Sequence, residues 1–298
     1  MNVQNRPALP SPDDLPAYVA QLTTPEFVGH LAARSGISEI DVRRRLDDYA
    51  GEVTVGVELL EGLIAPGQRI LEVGAGVGLL SVWLIRRGAS VVLLEVGAGG
   101  FDANRRLLDA VLEWFDVAPL VLPLRAEELA AAEHGTFDLI FSVNVLEHIP
   151  ALEQALASML AVLAPGGTMR HTCANYAVPY DPHYELPLIP LAPHLTGLLV
   201  PAIGRQEVWQ SLNFITYGRV VRFCRAHGLK YEFEPGLLAK ALRRMEEDAA
   251  FRRRRGRLAR LAHALLGTGP MTTLVARLPP RWATPMVFSC TRCRPPRT

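Results

Sequence analysis

The sequence is short of cysteine, of net charge and of long apolar runs. Four of its 298 residues are cysteines, and its formal net charge is +1 at pH 7. So few thiols argue against a disulfide-rich secreted scaffold, and a nearly neutral balance creates no global field that would attract nucleic acid. No apolar stretch is long enough to cross a bilayer, and the first residues lack a signal-peptide pattern. We therefore expect a cytoplasmic protein.

What the sequence does contain is ample material for a core. It is 49% hydrophobic and 20% charged, which is typical of a globular chain with one large domain or two small ones. The pair Cys290-x-x-Cys293 lies near the end of the chain, and no second pair follows at metal-binding spacing. We expect these cysteines to act as small apolar residues.

The most informative stretch is Ile70 to Ser81, which reads ILEVGAGVGLLS. Its apolar start predicts a buried strand, and residues 79–87 predict a helix that stops at Gly88. Between them stand glycines at positions 74, 76 and 78. Because glycine has no Cβ, a ligand can lie directly against the main chain at the helix N-terminus. The pattern predicts a nucleotide-binding loop.

The glycine spacing separates two classes of nucleotide site. A dinucleotide fingerprint would place its third glycine at position 79, where this chain has Leu79. The pattern Glu72-x-Gly74-x-Gly76-x-Gly78 resembles instead the first motif of class I S-adenosylmethionine-dependent methyltransferases. An NAD-dependent oxidoreductase remains as a disfavoured alternative. The resemblance implies S-adenosylmethionine as cofactor, held in part by Glu72, Gly74, Ala75, Gly76 and Gly78.

A second acid follows the next predicted strand. Residues 90–94 form an apolar run that closes on Glu95, seventeen residues after Gly78. A carboxylate can accept two hydrogen bonds at once, so an acid at this strand end is suited to both ribose hydroxyls of a nucleoside. We predict that Glu95 binds the ribose.

Two later segments extend the resemblance. Residues 125–129 resemble the loop that touches the adenine in this family, which implies contacts from Ala126 and Glu127. Residues 137–149 resemble the fourth strand and the Leu-Glu-His triplet that follows it in many members. That likeness implies that Asn144 and Leu146 lie beside the methionine part of the cofactor.

Histidines and tyrosines supply the remaining candidates. Imidazole titrates near neutral pH, so His148, His171 and His183 are candidate bases for removing a proton from the acceptor. A loop rich in aromatic and polar residues follows the predicted fifth strand, and loops of this kind commonly form substrate sites. From it we predict substrate contacts by Tyr176, Tyr180 and Tyr184.

The segment that begins at Asn144 also bears on metal binding. Some members of the family hold a divalent ion with Glu-x-x-Glu-His and a later histidine. This chain has Asn144-x-x-Glu147-His148, with His183 downstream. An amide in place of the first carboxylate weakens a site for a hard cation, so we expect no required metal.

The predicted fold class is α/β, a doubly wound, mostly parallel seven-stranded sheet of the Rossmann-like methyltransferase type. Helices beginning at Ser11, Thr24 and Ser38 precede it, with Ile40, Val42 and Leu46 as core positions. Strand three is predicted at 119–124 and strand five at 168–173. The predicted divisions are helices at 1–58, the methyltransferase core at 59–235 with a cap loop at 176–210, a basic helical insertion at 236–282, and the final strand and tail at 283–298.

Several functional alternatives stay open at this stage. The resemblance implies methyl transfer to an O or N atom, and the proline-rich apolar segment and the aromatic loop favour a small organic, glycosylated or lipid-linked metabolite over nucleic acid. A catalytically silent cofactor-binding or scaffold protein is the alternative. The N-terminal helices form either a lid or a stabilising extension, and the proline-rich apolar segment 186–204 forms either a cap over the substrate or a membrane-resting surface. The run Arg252–Arg260 is either a solvated face or a contact for phosphate or a membrane surface.

Overall fold

The computed structural model describes residues 9–97, 102–247, 260, 263–265 and 270–292. Most of the predicted basic run Arg252–Arg260, and Cys293, lie outside these residues. A seven-stranded sheet and flanking helices make up the α/β fold that the sequence predicts.

The sheet has the strand order β3-β2-β1-β4-β5-β9-β8. Strands β1, β2, β3 and β4 are paired in parallel, whereas β8 and β9 are antiparallel. A separate two-stranded ribbon pairs β6 with β7. The strands are β1 (Arg69–Val73), β2 (Ser90–Leu94), β3 (Val121–Leu122), β4 (Phe137–Val143), β5 (Leu163–Cys173), β6 (Tyr180–Asp181), β7 (Leu186–Pro187), β8 (Lys230–Phe233) and β9 (Met286–Thr291).

Within the described part of the chain, three helices precede the first strand, and the others lie in the connections between strands. In chain order they are α1 (Leu15–Gln21), α2 (Pro25–Ser35), α3 (Glu39–Leu59), α4 (Leu79–Arg86), α5 (Asp102–Phe115), α6 (Ala131–His134), α7 (Leu152–Ala161), α8 (Thr196–Leu199), α9 (Pro201–Gly204), α10 (Glu207–Ser211), α11 (Tyr217–Ala226), α12 (Leu237–Glu247) and α13 (Pro270–Ala276). Among the described residues, no helix has the length and apolar character needed to cross a membrane.

The chain forms two compact units. The first contains the described residues up to Val143, together with Glu153–Arg170. The second contains Asn144–Leu152 and the described residues from His171 onward. The two units are defined by which residues lie close together in space. The domain boundaries that we drew from the sequence remain predictions.

The starts of the N-terminal helices agree with the sequence at two of three places. Thr24 and Ser38 are the N-caps of α2 and α3, and each side chain accepts a backbone N–H three residues on. The prediction for the first helix was wrong, because α1 begins at Leu15 and its cap is Asp14. The Asp14 carboxylate accepts the N–H of Ala17 at 2.9 Å, and Pro16 occupies the first turn.

The N-terminal helices pack on the sheet-bearing part of the first unit. The Tyr18 hydroxyl donates to the Leu79 carbonyl at 2.7 Å, and the Phe27 and Trp114 rings meet edge to face. Val42 and Leu46 are buried, but Ile40 is 81% exposed, which corrects its assignment to the core. At 100° per residue, Ile40 lies about 200° around α3 from Val42 and therefore faces away from the buried stripe.

Two strands differ from their predicted limits. Strand β3 keeps only two of the six predicted residues, and β5 begins at Leu163, five residues early. In β5 the Pro165-Gly166-Gly167 segment stays within the strand, where a Cβ on Gly167 would lie 3.0 Å from the carbonyl oxygen of Asp138. The final strand, which was predicted within residues 283–298, is present as β9 and lies between β5 and β8 in the sheet.

Candidate active site

The glycine loop links β1 to α4 in the first unit. Gly74, Gly76 and Gly78 all have positive φ, at 69°, 57° and 76°, a region that side chains disfavour. Gly78 is also the N-cap of α4, and Leu108 of α5 fills the position that its Cβ would take. The loop therefore needs glycine both for its turn and for close packing.

Glu95 closes β2 and points at this loop. Its Oε2 accepts the Gly76 N–H at 2.7 Å and its Oε1 accepts the Gly97 N–H at 2.9 Å. The side chain is buried, and burial raises the pKa of its carboxyl group. The hydrogen bonds from the two backbone amides lower this pKa, but burial has the larger effect. A carboxylate has about four acceptor positions, so two remain for further donors. The residues fit a ligand with two vicinal hydroxyls, and the ribose contact stays a prediction.

Glu72 is a buried carboxyl inside β1. Burial, with smaller contributions from the Glu52 and Glu95 carboxylates, raises its pKa to about 8, although a hydrogen bond from the Ser81 hydroxyl opposes the shift. Glu72 is therefore mostly protonated at neutral pH in the ligand-free protein. Its role in cofactor binding remains a prediction, and a nearby cation would favour its ionised form.

The predicted adenine segment is a single 3₁₀ turn, Ala126–Glu128. The Ala126 side chain is buried, and the Glu127 carbonyl accepts the hydroxyl of Ser158 at 2.9 Å. The segment follows β3 directly, as the resemblance implies, and its contact with the base stays a prediction.

Comparison with known proteins identifies the chain. Residues 71–170 match a family model described as a methyltransferase domain, and they include the loop and Glu95. The chain belongs to the class I S-adenosylmethionine-dependent methyltransferase family. S-adenosylmethionine is accordingly the cofactor of this methyltransferase.

The chain is similar to proteins at several levels of identity. An uncharacterized protein of Mycobacterium tuberculosis is 34% identical over 202 residues, which cover 63% of this chain and 67% of that protein. A ubiquinone biosynthesis O-methyltransferase of Nitrosococcus oceani is 32% identical over 135 residues, or 43% of this chain and 55% of that enzyme. Phosphoethanolamine N-methyltransferase 2 of Haemonchus contortus, solved with S-adenosyl-L-methionine, has a TM-score of 0.48 at 15% identity and covers 83% of this chain and 53% of its own.

The second unit of the methyltransferase begins with Asn144, the residue directly after β4. Asn144 has a positive φ of 53°, and its N–H donates to the Thr172 carbonyl at 2.9 Å. Leu146 opens the 3₁₀ turn Leu146–His148 and is fully buried. Asn213 clamps this turn, since its side-chain amide donates to the carbonyls of Leu146 and Ile149 at 2.6 and 2.7 Å. The cofactor contacts of Asn144 and Leu146 remain predictions.

Glu147, His148 and His183 come together in the second unit and form what we call the acid–base cluster. One ligand-type atom from each lies within 4.8 Å of the other two. Glu147 is fully buried, which raises its pKa, and its Oε2 has no hydrogen-bond partner among the described residues. The His148 and His183 rings meet nearly at right angles with centroids 5.0 Å apart.

Asp181 holds one side of this cluster. Its Oδ1 accepts the backbone N–H groups of His183 and Tyr184 at 2.9 and 2.8 Å, and its Oδ2 lies 3.6 Å from Nδ1 of His183. Burial alone would raise the pKa of Asp181, but hydrogen bonds from His183, Tyr184 and Tyr176 outweigh burial and lower it. Asp181 is therefore an anion that faces the His183 ring.

His148 is held in its neutral form. Burial, helped by His183, lowers its pKa to about 3. Nδ1 of His148 lies 2.8 Å from the Ser211 hydroxyl, and that hydroxyl donates to the Val208 carbonyl at 2.8 Å. Because the serine proton is used on Val208, the serine oxygen accepts from Nδ1–H. His148 then carries its lone pair on Nε2.

The acid–base cluster also fits the geometry of a divalent cation. Two imidazoles and one carboxylate are a common donor set for zinc and other transition metals, and the buried, unpartnered Oε2 of Glu147 suits a cation. A hard cation such as Mg²⁺ prefers oxygen ligands, and Asn144 stands where the family motif has a carboxylate. Our expectation that no metal is required stays a prediction.

The three candidate substrate tyrosines differ in what their hydroxyls do. Tyr176 is buried, and its hydroxyl donates to Asp181 at 2.9 Å, so it positions that carboxylate. Tyr180 lies in β6. The Tyr184 ring packs edge-on against Trp209, and its hydroxyl oxygen is buried with no hydrogen-bond partner among the described residues. Tyr184 is therefore the strongest candidate of the three for a substrate contact.

His171 suits the role of a base poorly. It lies on β5, is fully buried, and its ring packs against Phe288 at 5.4 Å. Its lack of solvent exposure makes His171 the least suited of the three candidate bases, and its role stays a prediction.

In the first unit, a polar cavity of about 170 Å³ lies at the amino ends of β1 and β4, whereas the glycine loop follows the carboxyl end of β1. Asp138, which lines the cavity, accepts the Arg69 N–H at 2.8 Å and so fixes the start of β1. Asp138 therefore has a structural role at the start of β1.

Proposed function

We propose that this methyltransferase transfers the methyl group to a hydroxyl oxygen of a small organic metabolite, with a glycosylated or lipid-linked acceptor as the expected class. The observation that carries the proposal is the ionised Asp181 facing His183 beside the buried Glu147. A neutral hydroxyl is a poor nucleophile until its proton is removed, whereas a neutral amine already offers a lone pair. A built proton acceptor therefore favours oxygen over nitrogen.

His183 is the base that we assign. Its side chain is 24% exposed, so an acceptor can reach it, unlike the buried Glu147. The Asp181 carboxylate stabilises the imidazolium that forms when His183 takes a proton. Nε2 of His183 lies 4.0 Å from Oε1 of Glu147, which limits the orientations open to the ring.

His148 is assigned a positioning role. Its pKa of about 3 makes it a weak proton acceptor at neutral pH, and its ring packs against that of His183. A neutral imidazole beside His183 adds no charge that would oppose protonation of the base. The serine bond at Nδ1 fixes the orientation of the His148 ring.

The bound cofactor supplies an electrophilic sulfonium methyl group. The residues of the chain need only align the acceptor, exclude water and take its proton, and a positioned base contributes about 10²–10⁴-fold. The similarity to ubiquinone biosynthesis O-methyltransferases supports oxygen as the acceptor atom. Exposed apolar side chains at Leu191, Leu198 and Leu199 support an apolar or lipid-linked acceptor.

The same cluster could alternatively hold a divalent ion. In that case Glu147, His148 and His183 would be its ligands, and the ion would polarise the acceptor oxygen. We retain the metal-free proposal because Asp181 already supplies the negative charge that a protonated His183 requires.

Turnover on matched acceptors tests the proposal. The purified protein is incubated with S-adenosylmethionine and pairs of acceptors that differ only in a hydroxyl or an amine, and S-adenosylhomocysteine is measured by mass spectrometry. We expect higher kcat/KM for the hydroxyl member. Preference for the amines would contradict oxygen transfer, and cofactor binding without turnover on any acceptor would favour the silent alternative.

A further inference from the structure

Tyr49 lies directly on the glycine loop. It belongs to α3, in the helical segment before the sheet, and a Cβ built on Gly76 would lie 2.7 Å from its ring carbon Cε1 and 3.1 Å from its hydroxyl oxygen. Gly76 also donates to Glu95, so the Tyr49 ring, the loop and the predicted ribose carboxylate meet at one place in the first unit. Nothing in the sequence pattern of α3 singles out this tyrosine.

The polar group of Tyr49 is paired on one side only. Its hydroxyl oxygen accepts the side-chain amide N–H of Asn104 at 2.8 Å, and the described residues provide no acceptor for its proton. Burial and the carboxylates of Glu52 and Glu95 raise the pKa of Tyr49, so the hydroxyl keeps that proton at neutral pH. Tyr49 is only partly buried, so this unused donor is within reach of a ligand that can accept it.

Asn104, the partner of Tyr49, also has a polar atom that is not used in a hydrogen bond within the described residues. It lies in the first turn of α5, is 2% exposed, and its amide oxygen has no hydrogen-bond donor among the described residues. One unused donor and one unused acceptor therefore belong to one hydrogen-bonded pair, which reaches the glycine loop through Tyr49. A hydroxyl group can satisfy both, because it accepts one hydrogen bond and donates another.

We propose that Tyr49 and Asn104 form an additional ribose-binding pair, through which the N-terminal helix α3 takes part in cofactor binding. The Tyr49 hydroxyl donates to a ribose oxygen, and Asn104 positions Tyr49 and accepts from the same hydroxyl group. Glu95 accepts the remaining ribose proton. The proposal rests on the identity of the cofactor and not on the acceptor chemistry, so it stands or fails separately from the proposed function.

The test is calorimetric titration with S-adenosylhomocysteine and its 2′-deoxy and 3′-deoxy analogues. Tyr49→Phe keeps the ring on Gly76 and removes only the donor. We expect it to weaken S-adenosylhomocysteine binding about tenfold. Against one of the two deoxy analogues, wild type and variant should bind alike, because that ligand lacks the hydroxyl that Tyr49 reads. Asn104→Ala should give the same pattern.

Tyr18→Phe is the matched control. Tyr18 also lies in the N-terminal helices and is buried, but its hydroxyl donates to the Leu79 carbonyl. Its removal should lower the melting temperature and leave the Kd for S-adenosylhomocysteine within twofold. The proposal is overturned if Tyr49→Phe leaves the Kd unchanged, if it weakens all three ligands equally, or if Tyr18→Phe weakens binding as much.

Discussion

The two compact units of the protein prepare for chemistry in different ways. In the first, Glu95 accepts hydrogen bonds from the main-chain amides of Gly76 and Gly97. These two glycines are only 21 positions apart in the sequence. In the second, contacts between side chains join the acid–base cluster to its surroundings, and the residues involved range from Glu147 to Ser211. Binding a common cofactor can rely on the backbone, whereas moving a proton needs side chains collected from distant segments.

The largest expected effect is on the first unit. Glu95→Gln removes the charge and one acceptor oxygen that we assign to the ribose, and charge-assisted hydrogen bonds contribute about 1.5–3 kcal/mol each. We expect the Kd for S-adenosylhomocysteine to rise about 100-fold in calorimetry. Glu113→Gln, which removes a carboxylate that pairs with Arg34 at the surface, should leave the Kd unchanged. Equal affinity in wild type and Glu95→Gln would break the assignment.

Substitutions in the second unit should lower turnover without changing cofactor affinity. His183→Ala should lower kcat about 100-fold, since a positioned base is lost, with the Kd for S-adenosylhomocysteine unchanged. Asp181→Asn should lower kcat by a smaller factor, because the ring remains but the imidazolium loses its counter-charge. These kinetics are measured at saturating cofactor. A fall in cofactor affinity that matches the fall in kcat would remove the distinction between the two units.

The two units also differ in how much of each could be predicted from the sequence. Glu95, Glu72 and the glycines follow from a local pattern, in which a strand, a turn and a helix specify their positions within a few residues. Asp181 and Ser211 gain their roles only when separate loops pack together, so no spacing rule singles them out. Ile40 was misjudged for the same reason, since burial depends on neighbours distant in sequence.

A pH effect of intermediate size is expected from Glu72. Its pKa in the folded protein is about 8, above the value of about 4.3 for an unfolded chain. Between these values the native state keeps a proton that the unfolded state has lost, so the free energy of unfolding falls as pH rises through this window, by a few kcal/mol.

Urea denaturation of the cofactor-free protein at pH 5.5 and pH 8 measures this loss. Glu72→Gln, which cannot ionise, should lose clearly less stability than wild type over the interval. Glu61→Gln, at an exposed position, should behave as wild type does. An identical pH dependence in wild type and Glu72→Gln would show that the carboxyl is not held protonated.

The smallest effect concerns metal. Treatment with EDTA should leave kcat unchanged, because Asp181 provides the charge that His183 needs without an ion. Turnover is followed before and after chelation and after addition of Zn²⁺, Mn²⁺ or Mg²⁺. Loss on chelation and recovery with one ion would assign Glu147, His148 and His183 as its ligands and replace the base mechanism.

The atom that receives the methyl group is the central claim, and it can be measured directly. The protein is supplied with S-adenosylmethionine labelled with ¹³C in its methyl group and with an acceptor that carries both a hydroxyl and an amine. The ¹³C chemical shift of the product distinguishes O–CH₃ from N–CH₃. We predict a single O–CH₃ resonance in wild type that grows about 100-fold more slowly in His183→Ala, whereas an N–CH₃ product in wild type would contradict the proposed function.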